Sequence, residues 1–152
     1  MDFFADRNLG RYDFPGFLRE AGLTVHAHDD HFAQDAPDTE WLPDVAARGW
    51  IVLSADRVIS RDPLELATVM LSGAAMFYLV GGSATAEDLA RNFVNTLGRV
   101  TEFVAEHAPP HIAKVYRPSP LSDIARGLPG IVKLKMDYPL WLASRRSLGF
   151  RP

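Results

Sequence analysis

Cysteine is absent from the 152 residues. That absence removes disulfides, thiolate zinc sites and cysteine nucleophiles, and leaves carboxylates and histidines as the side chains able to hold a metal. No long apolar run occurs either. The most apolar stretch, residues 64–80, is broken by Glu65, Ser72 and Gly73 and falls short of the roughly 20 clean residues of a membrane helix. The first residues lack a basic segment followed by an apolar run ending in small residues, so no secretory signal is expected. The chain has no Gly-x-Ser-x-Gly elbow, no Walker lysine pattern and no three-glycine dinucleotide pattern; Gly81-Gly82-Ser83 resembles a phosphate-binding turn only weakly. A cytoplasmic protein with no membrane partner is expected.

What is present fits one globular core. The 47% hydrophobic content, with nine Phe, three Trp and four Tyr, excludes a disordered chain. The net charge of −3 hides an asymmetry: residues 1–116 carry −8 and residues 117–152 carry +5. An acidic body with a basic tail points either to a polyanionic partner for the tail or to a tail lying on its own body.

Periodicity predicts alternating strands and helices. Phe3-Phe4-Ala5 is a short buried strand ending at Asp6, and residues 14–21 form a helix stopped by Gly22. Residues 23–28 alternate as a second strand, followed by an acidic loop over 29–37. Asp38 or Thr39 caps a helix reaching Ala47, and residues 50–53 are the clearest strand, ending at Ser54-Ala55-Asp56. Asp62-Pro63-Leu64-Glu65 opens a helix with a cap, a first-turn proline and a capping-box acid. A fourth strand covers 76–80. Thr85 opens the longest helix, with the apolar stripe Leu89, Phe93, Leu97, Val100 and Val104, and a fifth strand covers 112–116. The fold class is therefore α/β: one domain over 1–118, with a central, mainly parallel five-stranded sheet and helices on both faces. Residues 119–152 are a basic C-terminal extension, with a Lys-bearing strand over 131–136 and a short helix over 139–147.

Asp6 and Asp56 both follow apolar strand runs. In a parallel sheet they emerge on one rim, which Asp38 and Glu40, at the start of a helix, can also reach. Crowded carboxylates repel unless a cation neutralises them, and Mg²⁺ or Mn²⁺ suits oxygen ligands. The bland readings are a turn for Asp6, an N-cap for Asp38 and a dipole-favoured position for Glu40. Asp62 and Glu65 read first as cap and capping-box partner, and only after that as acids that support the site's ligands. His26, His28 and His31 are close in sequence but show no fourth zinc ligand at usual spacing.

Three segments in order, Phe3-Phe4-Ala5-Asp6-Arg7-Asn8-Leu9-Gly10, Asp38-Thr39-Glu40-Trp41-Leu42 and Gly49-Trp50-Ile51-Val52-Leu53-Ser54-Ala55-Asp56-Arg57, resemble the PIN-like domain family, specifically its VapC-type toxins. Residues 112–116 resemble that group's closing strand, and the likeness leaves the tail uncovered. The resemblance implies a metal-dependent ribonuclease with Mg²⁺ or Mn²⁺ in an acidic pocket. Its first-strand aspartate falls on Asp6, its helix-start acid on Asp38 or Glu40, and its Thr/Ser-x-Asp aspartate on Asp56. A further acid two residues later is replaced here by Val58. Arg7, Arg57 and Arg61 lie beside the pocket and are the expected RNA phosphate contacts. The resemblance also implies an antitoxin protein as partner and a homodimer. Two other readings stay open: a receiver-like phospho-signalling module, with Asp56 as acceptor and Lys114 on the fifth strand, and an inactive PIN-like protein that only binds RNA or a partner.

Overall fold

The computed structural model describes residues 1–55, 62–81 and 83–147. Among the described residues six strands, β1 (Asp2–Ala5), β2 (Thr24–Ala27), β3 (Ile51–Ser54), β4 (Ala75–Leu79), β5 (His111–Tyr116) and β6 (Ile131–Asp137), form one sheet in the order β2-β1-β3-β4-β5-β6. The first five pair in parallel; β6 runs antiparallel to β5, with a bulge near Ile112/Ala113. The expectation of five strands is corrected to six, because the Lys-bearing segment of the extension pairs along the free edge of β5.

Helices cover both faces: α1 (Asp13–Glu20), α2 (His28–His31), α3 (Asp38–Ala47), α4 (Pro63–Ser72), α5 (Ala86–Glu106) and α6 (Tyr138–Ser147). Successive strand side chains point to opposite faces. Phe3, Ala5, Leu53, Phe77 and Val115 therefore pack against Phe14 and Leu18 of α1 and Phe93 and Val100 of α5. Phe4, Val52, Met76 and Ile112 face the other way, onto Trp41, Leu42 and Val45 of α3, Val69 and Met70 of α4, and Trp141 of α6. Strands buried on both faces read as unbroken apolar runs, which is why β1 and β3 were legible.

Local signals mostly hold. The Asp62 carboxylate accepts from the Leu64 and Glu65 amides at the start of α4, and Thr85 accepts from the Asp88 amide at the start of α5. Two expectations are corrected. The 29–37 segment is not all loop, since its start continues the helical turn His28–His31. Asp38 is not an N-cap: Pro37 holds that position with extended backbone, and Asp38 is the first helical residue, its side chain free of capping.

The basic tail is tied down. Asn92, Asn95, Thr96 and Arg99 of α5 bond to Tyr116 O, Ile124 O, the Gly130 amide and Gly130 O. A Cβ on Gly130 would sit 1.8 Å from the Tyr116 carbonyl oxygen, so only glycine lets β6 begin this close to β5.

His111 opens β5 inside the core, 1% exposed, against the rings of Phe77 and Phe103. Neither ring nitrogen has a hydrogen-bond partner. Burial, and then the charge of His107, push its pKa down to about 4, with Asp137 acting weakly the other way. The native ring stays neutral while the unfolded chain takes up a proton below about 6.5. The stability that neutral His111 contributes is therefore expected to fall by about 3 kcal/mol as pH drops from 6.5 to 4. In urea unfolding at stepped pH, the stability of His111→Phe relative to the wild type should rise as pH falls across that range; a difference independent of pH would show that His111 does not titrate this way.

Candidate active site

Asp6 stands where β1 ends, and its backbone amide still bonds to Leu53 O of β3. Its carboxylate is only 7% exposed. One oxygen accepts from the Arg7 amide at 2.6 Å; the other accepts from Ser54 Oγ and Asn8 Nδ2, each at 3.2 Å. Asn8 also donates to Ser54 Oγ at 3.1 Å, and its Oδ1 accepts from the Ala55 amide at 3.0 Å. One side chain thus staples the end of β1 to the end of β3, the strand that leads to Asp56. Burial pushes the Asp6 carboxyl up to about 6; the Arg7 amide pulls it down, the Asp38 charge pushes it up again, and Ser54 and His28 lower it.

A cavity of about 430 Å³ opens beside it, lined by Asp6, Arg7, Asn8, His28, Asp35, Ala36, Asp38, Trp41 and Glu65. Asp38 reaches it from the first turn of α3, with Oδ1 fixed by the buried Trp41 indole Nε1 at 3.0 Å. Arg7 is anchored by a hydrogen bond from its guanidinium to Gln34 O at the rim. The His28 ring is buried and holds Asp29 at 2.8 Å through Nδ1. Its near neighbours in sequence go elsewhere: His26 stacks on Trp50 at 3.7 Å and bonds to Asp2, and His31 packs edge-on to both rings.

The sequence-derived candidates therefore divide. Asp6, Asp38 and Arg7 share one cavity, whereas Glu40 is exposed and does not line it. Asp56, Arg57, Val58 and Arg61 lie outside the described residues. Glu65, read chiefly as a capping-box acid, lines the cavity, as do Asp35 and His28; Asn8 was given no role. Asn8 follows Asp6 by two residues, a spacing that suits a side chain turning back on the strand end. Lys114, the lysine of the receiver reading, does not line the cavity; its Nζ sits 5.7 Å from the Tyr78 ring centroid.

The donor set suits a hard divalent cation. Asp6 and Asp38 are close enough for their charges to couple, in a cavity lined largely by oxygen-bearing side chains. An ion that keeps most of its waters needs only one or two carboxylates. Among the described residues no three His, Asp or Glu side chains form a group able to hold a metal.

A family profile described as "PIN like domain" matches residues 1–81. The chain belongs to the PIN-like domain family. A Mycobacterium tuberculosis protein named "Putative ribonuclease VapC45" is 32% identical over 101 residues, which cover 64% of this chain and 73% of that protein. No solved structure matches significantly. The match runs from β1 through β4, so it contains Asp6, Asp38 and the Ser54–Asp56 segment of this PIN-like domain. The receiver-like alternative is thereby displaced.

The raised carboxyl has a consequence for the metal-free protein. The native state holds the Asp6 proton more tightly than the unfolded chain does. The stability that Asp6 contributes is therefore fully present below the ordinary value of 3.8 and is lost as pH rises through about 6. Above that, the ionised group costs about 3 kcal/mol. Without divalent ions, Asp6→Asn is expected to be the more stable protein at pH 7, by up to that amount, with the gap closing towards pH 4. Equal stability at pH 7 in urea unfolding would contradict it.

Proposed function

We propose that this chain is a metal-dependent endoribonuclease that hydrolyses RNA phosphodiester bonds, the VapC-type toxin of a toxin–antitoxin pair. The observation that carries the reading is the buried Asp6 carboxylate facing Asp38 in a cavity with Arg7 at its rim. The family membership and the name of the M. tuberculosis relative support it.

In this reading Asp6, Asp38 and Asp56 are the catalytic acids and hold Mg²⁺ or Mn²⁺, with Asp38 preferred over Glu40 because Asp38 lines the cavity and Glu40 does not. When bound, such an ion activates water and stabilises charge on the phosphodiester. The chain's own groups do the positioning. Ser54, Asn8 and the Arg7 amide fix the Asp6 oxygens, and Trp41 fixes Asp38. Arg7, with Arg57 and Arg61, takes phosphate oxygens, and planar guanidinium groups suit that task. Glu65 offers a carboxylate to the same cavity, which bears on the absence of an acid at Val58; Asp62 is engaged in capping α4. The catalytic unit spans 1–118, and the 119–152 extension completes its sheet. An inhibitory antitoxin, a homodimer and a cytoplasmic location complete the proposal. No helix among the described residues is long and apolar enough to cross a membrane.

Cleavage of a mixed RNA pool with Mg²⁺ or Mn²⁺ tests it. Asp6→Asn and Asp38→Asn should each lower the rate by more than about a hundredfold, and Asn8→Ala by about tenfold or more, as expected for ligands and the groups that orient them. Glu40→Gln should stay close to wild type. No cleavage by the wild type, together with no heat on Mn²⁺ titration, would overturn the nuclease in favour of an inactive binding protein.

A further inference from the structure

His28 leaves the sheet beside Asp6. Ala5 ends β1 and Ala27 ends β2, the two are register partners, and Asp6 and His28 are the residues that follow them. The His28 ring packs among Phe4, Phe32 and Trp41, with centroids 6.1, 5.8 and 5.6 Å away, and its side chain is only 2% exposed. Nδ1 lies 2.8 Å from Asp29 Oδ1. An ionised carboxylate only accepts, so Asp29 fixes the ring hydrogen on Nδ1, and in the neutral ring the lone pair sits on Nε2. Among the described residues no group bonds to Nε2, yet that atom is not sealed from solvent. A buried ring that lines the cavity thus presents its acceptor nitrogen to it, on the wall shared with Asp6 and Asp38.

We propose that His28 is the general base of the phosphodiester hydrolysis, with Asp29 as the positioning residue that holds its tautomer. The inference rests on the nuclease reading and adds to it a proton acceptor. As the oxygen of the attacking water bonds to phosphorus, its proton passes to His28 Nε2, directly or through one further water. The bond from phosphorus to the leaving sugar oxygen breaks; that oxygen takes a proton from solvent, and the imidazolium releases its own to solvent. Two features favour this role. Carboxylates that hold a divalent ion are poor proton acceptors, because the ion's charge favours their anionic form, so Asp6 and Asp38 leave the proton to another group. The arrangement of a buried carboxylate-bound imidazole with its second nitrogen turned to the reacting centre is also the one that makes histidine a base elsewhere. A ring placed only to fill the space between Phe4 and Trp41 needs neither Asp29 nor access to the cavity.

Steady-state cleavage of an oligoribonucleotide by the full chain with Mn²⁺, beside calorimetric titration with Mn²⁺ alone, tests the role. His28→Gln should lower kcat by about a hundredfold or more, the usual contribution of a positioned base, and leave KM and Mn²⁺ affinity at their wild-type values. Asp29→Asn should lower kcat by at least about tenfold, since an amide does not hold the same tautomer; Asp29 is partly exposed, so this variant decides the matter where a change at His28 prevents folding. Imidazole added to His28→Ala should restore part of the rate, whereas pyrrole, a ring of the same size without a basic nitrogen, should not. A wild-type kcat in folded His28→Gln or in Asp29→Asn would overturn the proposal and leave the nuclease standing. A loss carried by Mn²⁺ affinity and not by kcat would overturn it in favour of support for the ion, and equal rescue by pyrrole in favour of packing. A wild type that cleaves no RNA would overturn the nuclease reading as well.

Discussion

A carboxylate that ends a strand in the middle of a sheet covered on both faces is a destabilising group that the rest of the molecule must accommodate. Asp6 is in that position: β1 lies between β2 and β3, and the residues before Asp6 are wholly buried. Three donors, the Arg7 amide, Ser54 and Asn8, offset part of the desolvation, yet burial still outweighs them and holds the carboxyl near 6. A second carboxylate, Asp38, adds repulsion where a purely structural design would place a cation. Such an arrangement is costly for the empty protein and favourable once a positive ion enters, the signature of a site selected for binding and not for stability.

The surroundings follow from that requirement. Phe32, Trp41 and Trp50 pack around the buried ring of Phe4, with Phe4 and Trp41 5.2 Å apart, and Trp41 also lines the cavity. From that cluster the Trp41 indole reaches out to orient Asp38. Asn8 does the corresponding work on the other side, tying the end of β1 to Ser54 and Ala55 at the end of β3. Carboxylates far apart in sequence are thus set by packed elements and not by loops, which limits the reorganisation needed at the moment of reaction.

Much of this was legible from local patterns. The unbroken apolar runs of β1 and β3, the Asp62-Pro63 start of α4 and the apolar stripe of α5 depend only on neighbours in sequence, and each is found where expected. What depended on distant partners was not. The 131–137 segment has the alternation of a strand, but nothing local says that it closes along β5; that follows from Gly130 and the polar anchors of α5. Asp38 read as an N-cap because Asp is a good one, whereas the preceding proline takes the extended conformation and leaves the carboxylate free to face the cavity. Glu65 occupies a helix position that serves equally for capping and for reaching outward, so spacing alone could not assign it to the site. Asn8 carried no local signal because its partners, Ser54 and Ala55, lie more than 45 residues away.

Asp6 is a buried carboxylate whose desolvation its hydrogen bonds only partly offset. Its titration can be followed directly by the ¹³C carboxyl resonance, in the presence and absence of Mg²⁺. The account predicts an apparent pKa of about 6 in the metal-free protein, falling below the ordinary aspartate value when Mg²⁺ is added. A midpoint near 4 that Mg²⁺ leaves unmoved would contradict it.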